Sequence, residues 1–241
     1  MPLPSDLLRL NQAISRLGYC SRRKADELIL AGQVMVNDKK VLEFNTKVNV
    51  RTDKISINKN TLESKPCTYI LMNKPKDVIT TCHDEKNRKS IVDLLPNDLK
   101  NLKPVGRLDR NSVGLIILTD DGYLANLITH PSRHIPKTYW VKINGHIKAN
   151  ELKTLANGIE LSDGLTSPAQ VGLIEYTKLY SVIEITLTEG KNRQIRRMFE
   201  ALGYDVKSLN RIRIGNLTIK NLKPGQFRYL TKSEINELVG H

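Results

Sequence analysis

The sequence predicts an α+β protein in two parts, a small helix-and-hairpin module over residues 1–62 and a larger mixed-sheet domain over 63–241. Three observations carry this reading. In the first sixty residues the apolar positions keep helical spacing and then change to a short strand-like run. From Thr68 on, short β-rich runs at Tyr69–Met72, Tyr139–Ile143 and Val182–Thr188 alternate with helical stretches, the pattern of a mixed sheet. The composition, 39% apolar and 26% charged over 241 residues, is that of a globular chain long enough for a sizeable core.

The elements follow in order. Leu10, Ala13, Ile14 and Leu17 fall on one helical face, and Gly18 ends that segment. Ser21 offers the N-cap of a second helix with Ala25, Leu28 and Ile29 inward, stopped at Gly32. Val34, Val36 and Val41 flank Asn37-Asp38, a short strand and a tight turn. Residues 58–65 are polar and unpatterned and read as a linker. In the larger part a polar loop runs into the apolar strand Val113–Leu118, and Asp120-Asp121-Gly122 then turns the chain into a helix beginning near Tyr123. Thr231-Lys232-Ser233-Glu234 is a capping box opening a last helix with Ile235, Leu238 and Val239 inward. There is no internal repeat and no low-complexity tract.

Lys and Arg outnumber Asp and Glu by 38 to 25, a formal charge of +13. Such an excess points to a polyanionic partner, because phosphate contacts release condensed counterions; a solvated basic surface without a ligand is the alternative. Both parts are basic, with 11 basic against 6 acidic residues over 1–62 and 27 against 19 beyond. Arg9 and Arg16 lie on the polar side of the first helix, and Arg22, Arg23 and Lys24 open the second. Cations at a helix N-terminus oppose the macrodipole, so stability alone would favour acids there. These five residues are therefore candidate phosphate contacts.

Cys20, Cys67 and Cys82 are an odd set without a C-x-x-C spacing, which suggests neither zinc nor a disulfide framework and fits a reducing compartment. His130 and His134 are separated by Pro131 and lack acidic or sulfur partners nearby, so no metal is expected. The longest apolar run is too short to span a bilayer, and Asp6 and Arg9 interrupt the N-terminal leucines, so neither a membrane span nor a secretory leader is read. The expectation is a cytoplasmic monomer that binds nucleic acid.

The stretch richest in chemistry is Gly106-Arg107-Leu108-Asp109-Arg110-Asn111-Ser112-Val113-Gly114, continuing through Leu118 to Gly122. It sets one carboxylate in a loop at the head of a buried strand, where function concentrates. A turn-capping Asp would look the same, and the pattern alone does not choose. The stretch closely matches the "G-R-L-D-x-x-T-x-G-L-L-L-L-T-N-D-G" signature of pseudouridine synthases of the RsuA type, the group that includes RluB, RluE and RluF. Met72-Asn73-Lys74-Pro75 resembles the family's first motif, Lys137-Thr138-Tyr139 its K-x-Y element, and Glu189-Gly190-Lys191-Asn192-Arg193-Gln194-Ile195-Arg196-Arg197-Met198 its third motif. The segments Arg9–Gln12, Gly18–Ala25 and Gly32–Asn37 resemble an S4 RNA-binding domain. Together these likenesses cover nearly the whole chain.

The resemblance implies an S4-like domain joined to a synthase domain with a mainly antiparallel mixed sheet flanked by helices. It implies isomerisation of a uridine to pseudouridine in ribosomal RNA, without cofactor or metal, and the wording of the third motif leans towards large-subunit RNA. Asp109 would be the carboxylate that attacks or deprotonates the target nucleotide as the N-glycosidic bond is cleaved. Tyr139 would stack on the uracil and could remove the C5 proton. Arg196 would pair with Asp109, a task suited to an always-charged planar group. Ile195 would wall the base pocket, Arg107 would hold the flipped nucleotide out, and Lys191 and Arg193 would grip substrate phosphate. The departures are Asp77 where the family often has Gly, which puts that turn's geometry in doubt, and the milder Ser112 and Asp120. Two rivals stand beside this reading: a non-catalytic S4-type RNA-binding protein, and a hydrolase needing a second carboxylate, for which Glu189 is the candidate.

Overall fold

The computed structural model describes residues 7–63, 66–82 and 84–240. They fall into two compact units, 1–67 with 120–123 and 68–119 with 124–241. Asp6, Ser64 and Lys65, which figure in the sequence reading, lie outside the described residues.

The first unit runs β1 (Leu7–Arg9), α1 (Leu10–Arg16), α2 (Arg22–Leu30), β2 (Val34–Val36), β3 (Lys39–Lys40), β4 (Lys47–Asn49), β5 (Ile55–Ile57) and β6 (Asn60–Thr61). The predicted helical faces close on each other: Leu10, Ala13, Ile14, Ala25 and Ile29 are fully buried with Val34 and Ile57. Ser21 caps α2, its hydroxyl accepting from the Lys24 amide at 3.2 Å. The β2–β3 turn carries positive φ at Asn37 (50°) and Asp38 (61°), as a two-residue hairpin of matching twist requires.

The expected linker needs correction. Asn58 (φ 51°) and Lys59 (φ 68°) make a second turn of the same kind, and β6 pairs back on β5 to complete a four-stranded sheet of order β3-β2-β5-β6. The turn escapes a reading of the sequence because it lacks Gly, Asn alone tolerating the left-handed region at its first position.

The second unit holds β7 (Tyr69–Lys74), β8 (Lys103–Val105), β9 (Val113–Thr119), α3 (Gly122–Thr129, whose first two residues belong to the first unit), β10 (Lys137–Asn144) and α4 (Ala149–Asn157). It continues through β11 (Gln170–Tyr176), β12 (Tyr180–Leu187), α5 (Gln194–Ala201), β13 (Val206–Ile214), β14 (Leu217–Thr218), β15 (Phe227–Tyr229) and α6 (Lys232–Val239). Its sheet runs β11-β12-β10-β13-β9-β7-β15, with β14 on β13 and β8 on β9. The pairings are antiparallel except where Asn210 and Arg211 of β13 run parallel to Val113 and Gly114 of β9. That α+β architecture is the predicted class.

Two apolar cores pack on the sheet. One gathers Val141, Ile143, Leu155, Ile183, Ile185, Met198 and Phe199; the other gathers Ile70, Met72, Ile91, Leu102, Ile116 and Leu118. Tyr139 packs against both, so it stands at the seam between them.

Candidate active site

The Asp109 loop joins β8 to β9 and is pinned by the segment that follows β7. The Ser112 amide donates to the Asp109 carbonyl at 3.0 Å, closing a turn. The Thr80 hydroxyl donates to the Leu108 carbonyl at 2.7 Å and accepts from its amide at 3.2 Å. The Asp77 amide donates to the Arg110 carbonyl at 3.0 Å. Asp77 adopts φ 65°, the left-handed conformation a Gly would take there, so the departure noted in the sequence leaves that backbone geometry accessible.

Lys74 completes the clamp. It is fully buried, and its Nζ donates to the carbonyls of Ser112 (2.7 Å), Pro75 (3.0 Å) and Arg110 (3.3 Å). Burial pushes its ammonium down from the usual 10.5 to about 8, with the charges of Asp109 and Asp77 acting the other way. A loop held at both backbone and side chain is a pre-organised mount for one carboxylate.

Asp109 is partly exposed, and its Oδ2 lies 3.9 Å from Nε of Arg196, a charge pair without a hydrogen bond at that distance. Arg196 Nη1 donates to the Val206 carbonyl at 3.2 Å, while its buried Nε has no hydrogen-bond partner. The guanidinium is thus held from behind with Nε towards the carboxylate.

Arg107, Asp109, Tyr139, Lys191, Arg193 and Ile195 all line one open cavity of about 670 Å³. Arg196 supports Asp109 from outside that lining. Ile195 is buried in the wall and Arg107 is exposed at the rim. The Lys191 ammonium donates to the carbonyls of Gly164 (3.0 Å), Leu165 (3.1 Å) and Asp163 (3.3 Å), which uses its three protons. It ties the 163–165 loop to the third motif and offers no spare donor, in contrast to the phosphate grip expected of it. Arg193 takes φ 47° at the start of α5, and its Nη2 lies 3.9 Å from Glu200.

Glu189 is committed elsewhere. Its carboxylate accepts from the Ser167 amide (2.9 Å), the Ser167 hydroxyl (3.1 Å) and the Gln194 side-chain amide. A carboxylate so engaged is a structural brace rather than a free acid or base.

Of the basic residues assigned to RNA, Arg9, Arg22, Arg23 and Lys24 are exposed and Arg16 is half-buried, all in the first unit. Lys24 Nζ is 2.7 Å from Glu27, which raises its pKa and compensates part of its charge.

Among the cations that received no role from the sequence, Lys74, Lys137 and Arg211 stand buried or half-buried in or beside the cavity, while Arg88 and Arg110 line it from exposed positions. Lys137 Nζ donates to the Ile135 carbonyl at 2.9 Å, and burial together with Arg211 pushes it down to about 8. Arg211 shares the apolar phase of Leu209 along β13, a polar residue at an inward position and the one signal that could have exposed it. Among the described residues no group of three or more His, Cys, Asp or Glu is placed to hold a metal, and no helix is long and apolar enough to cross a membrane.

The sequence profile of the RNA pseudouridylate synthase family matches residues 68–201, and that of the S4 domain matches 8–55. The chain is 41% identical over 232 residues to a ribosomal large subunit pseudouridine synthase B of Bacillus subtilis, covering 95% of each. It is 34% identical to the protein of that name from Buchnera aphidicola, again over 95% of each. A crystal structure of a pseudouridylate synthase superposes with a TM-score of 0.69 at 32% identity, covering 96% of this chain and 100% of that one. With its carboxylate loop and aromatic seam residue on a shared cavity and an arginine behind the carboxylate, the chain belongs to the RNA pseudouridylate synthase family and carries an S4 domain at its N-terminal end.

Proposed function

We propose that this RNA pseudouridine synthase acts on a uridine of large-subunit ribosomal RNA, with Asp109 as its catalytic carboxylate. The observation that carries the assignment is the mounting of Asp109 on a loop pinned by Lys74, Asp77 and Thr80, 3.9 Å from Arg196 at the cavity. Large-subunit RNA is supported by the names of the relatives from Bacillus subtilis and Buchnera aphidicola. The excess of 38 basic over 25 acidic residues favours a polyanionic substrate.

In this reading a target uridine leaves its stack and enters the cavity, and Asp109 attacks C1′ or takes a sugar proton as the C1′–N1 bond breaks. Arg196 orients Asp109 through their charge pair. Tyr139 offers a ring face for stacking and a phenol for the C5 proton, Ile195 excludes water, and Arg107 occupies the space the base has left. Lys191 and Arg193 shape the substrate side, Lys191 through the loop it ties down. Arg9, Arg16, Arg22, Arg23 and Lys24 form the RNA-docking face of a domain spanning 1–62, ahead of a catalytic domain spanning 63–241. The chain works as a cytoplasmic monomer without cofactor. A non-catalytic binder fits less well, since such a protein has no use for a pinned carboxylate facing a half-buried guanidinium. A two-carboxylate hydrolase fits poorly because Glu189 is fully engaged.

The test is pseudouridine mapping of ribosomal RNA in cells with and without the gene. One large-subunit signal is expected to vanish on deletion, to return with wild type and not with Asp109→Asn, while purified Asp109→Asn keeps its RNA affinity. Restoration by Asp109→Asn would remove Asp109 from the mechanism, and an unchanged map would remove ribosomal RNA as the substrate.

A further inference from the structure

Arg211 sits on β13 directly across from Tyr139 on β10, so the two side chains share one face of the sheet. It is 3% exposed yet lines the cavity. Its Nε donates to the Leu115 carbonyl at 2.7 Å, which fixes the plane of the guanidinium. Its Nη2 is buried and has no hydrogen-bond partner. A charged donor left unpaired inside a protein is costly and rare, and a cavity is where a ligand can supply the missing acceptor. The nearby acids do not supply it: Asp84 is paired with Arg88, and Glu189 with Ser167 and Gln194.

We infer that Arg211 is the uracil-recognition residue of this site, its Nη2 donating to a ring carbonyl oxygen of the target base. The inference rests on the function proposed above and adds a base-reading residue to it. When the C1′–N1 bond breaks, its electron pair stays with the ring and spreads over N1, O2 and O4. Asp109 takes up C1′, or the proton it removed, and later returns it. The ring turns, C5 bonds to C1′, the C5 proton departs and N1 is protonated, so atoms and charge balance with no co-reactant. Turning uracil about its N3–C6 axis exchanges N1 with C5 and, with them, O2 with O4. A donor fixed beside Tyr139 therefore meets a carbonyl oxygen before and after the turn. It meets that oxygen most strongly in between, while the ring is anionic, which is where binding accelerates a reaction. Cytosine carries an amino group at C4, so in one of the two poses it would set donor against donor. Arg211 thereby selects uridine as well as stabilising its anion.

The experiment uses an RNA stem-loop carrying the uridine whose signal is lost on gene deletion, made with uridine, 2-thiouridine or 4-thiouridine at that position. Sulfur is a weak acceptor. Single-turnover rates are measured for wild type, Arg211→Gln and Arg211→Lys, with RNA affinity and folding followed in parallel. Wild type is expected to slow by about tenfold or more with at least one thio-substrate. Arg211→Gln is expected to lose about a hundredfold on uridine at nearly unchanged RNA affinity, the scale of one lost pre-organised donor. The thio effect should collapse in that variant, and Arg211→Lys should recover part of the rate. A thio effect of equal size in wild type and Arg211→Gln would leave Arg211 a merely structural residue. Absence of any thio effect in wild type overturns the inference even where the variants do not fold. A wild type inert on the unmodified RNA overturns the proposed function and this inference together, whereas activity without a thio effect overturns this one alone.

Discussion

The Lys74 ammonium bonds three carbonyls around the Asp109 loop from a fully buried position, and desolvation lowers its pKa from 10.5 to about 8. A lysine lowered in this way loses its proton in the native state before it would in the unfolded chain. Between pH 8 and 10.5 the unfolded chain therefore binds more protons, and stability rises with pH across that window. Lys137 is lowered to about 8 as well and contributes with the same sign, so only a difference isolates Lys74. The unfolding free energy of wild type minus that of Lys74→Met should grow as pH is raised from 8 to 10.5, by urea titration at several pH values. A flat difference would mean the ammonium is not desolvated. At roughly neutral pH the same variant should lose activity, because the carbonyls of Arg110 and Ser112 lose their donor and the Asp109 turn loosens. Lys74 is visible in the sequence as part of a motif, but its partners stand as far as 38 residues on, and no local pattern announces a contact of that span.

At the scale of elements, β9 and β13 meet in parallel at a single short contact, and Gly114 makes that contact possible. It holds φ 107°, and a Cβ there would collide with the carbonyl oxygen and amide of Arg211 and the side chain of Asn210. Gly114→Ala should therefore cost at least about 2 kcal/mol, from the left-handed strain alone and more from the clash. A thermal melt indistinguishable from wild type would show that the strands part at no cost. Activity should fall further than stability, since the strand that follows the Asp109 loop would move away from the strand that carries Arg211. The long apolar strand, both early helices and the capping box of α6 are legible because each is written in adjacent residues: a hydrophobic period, a Ser or Thr cap, a following Glu. The pairing of Tyr139 with Arg211 is not, because strand register across a bulge between Thr138 and Tyr139 depends on tertiary packing. The β5–β6 turn is hidden for the opposite reason, a local signal too weak without Gly to stand out from polar loop.

Across the whole molecule, the basic helix start and the catalytic chemistry are written in different places. The exposed cations at the start of α2 belong to the first unit, while the pinned carboxylate and its cavity lie wholly in the second. Of those cations Lys24 is already matched by Glu27, so Arg22 and Arg23 should carry most of the phosphate binding. Replacing both by Gln should weaken RNA binding and reduce the slope of log affinity against log salt by about one to two, at roughly 0.7–0.9 for each phosphate no longer neutralised. An unchanged slope would return them to the ordinary solvated surface. Tyr139→Phe should leave affinity and slope intact and lower the single-turnover rate, because it keeps the ring and removes the phenol. Terms that do not share partners add. If the first unit supplies only affinity, the combined variant should show the affinity loss of one parent and the rate loss of the other, each unchanged. A rate lower than that of Tyr139→Phe at saturating enzyme would mean that the cations of α2 also set the pose of the target nucleotide in the cavity.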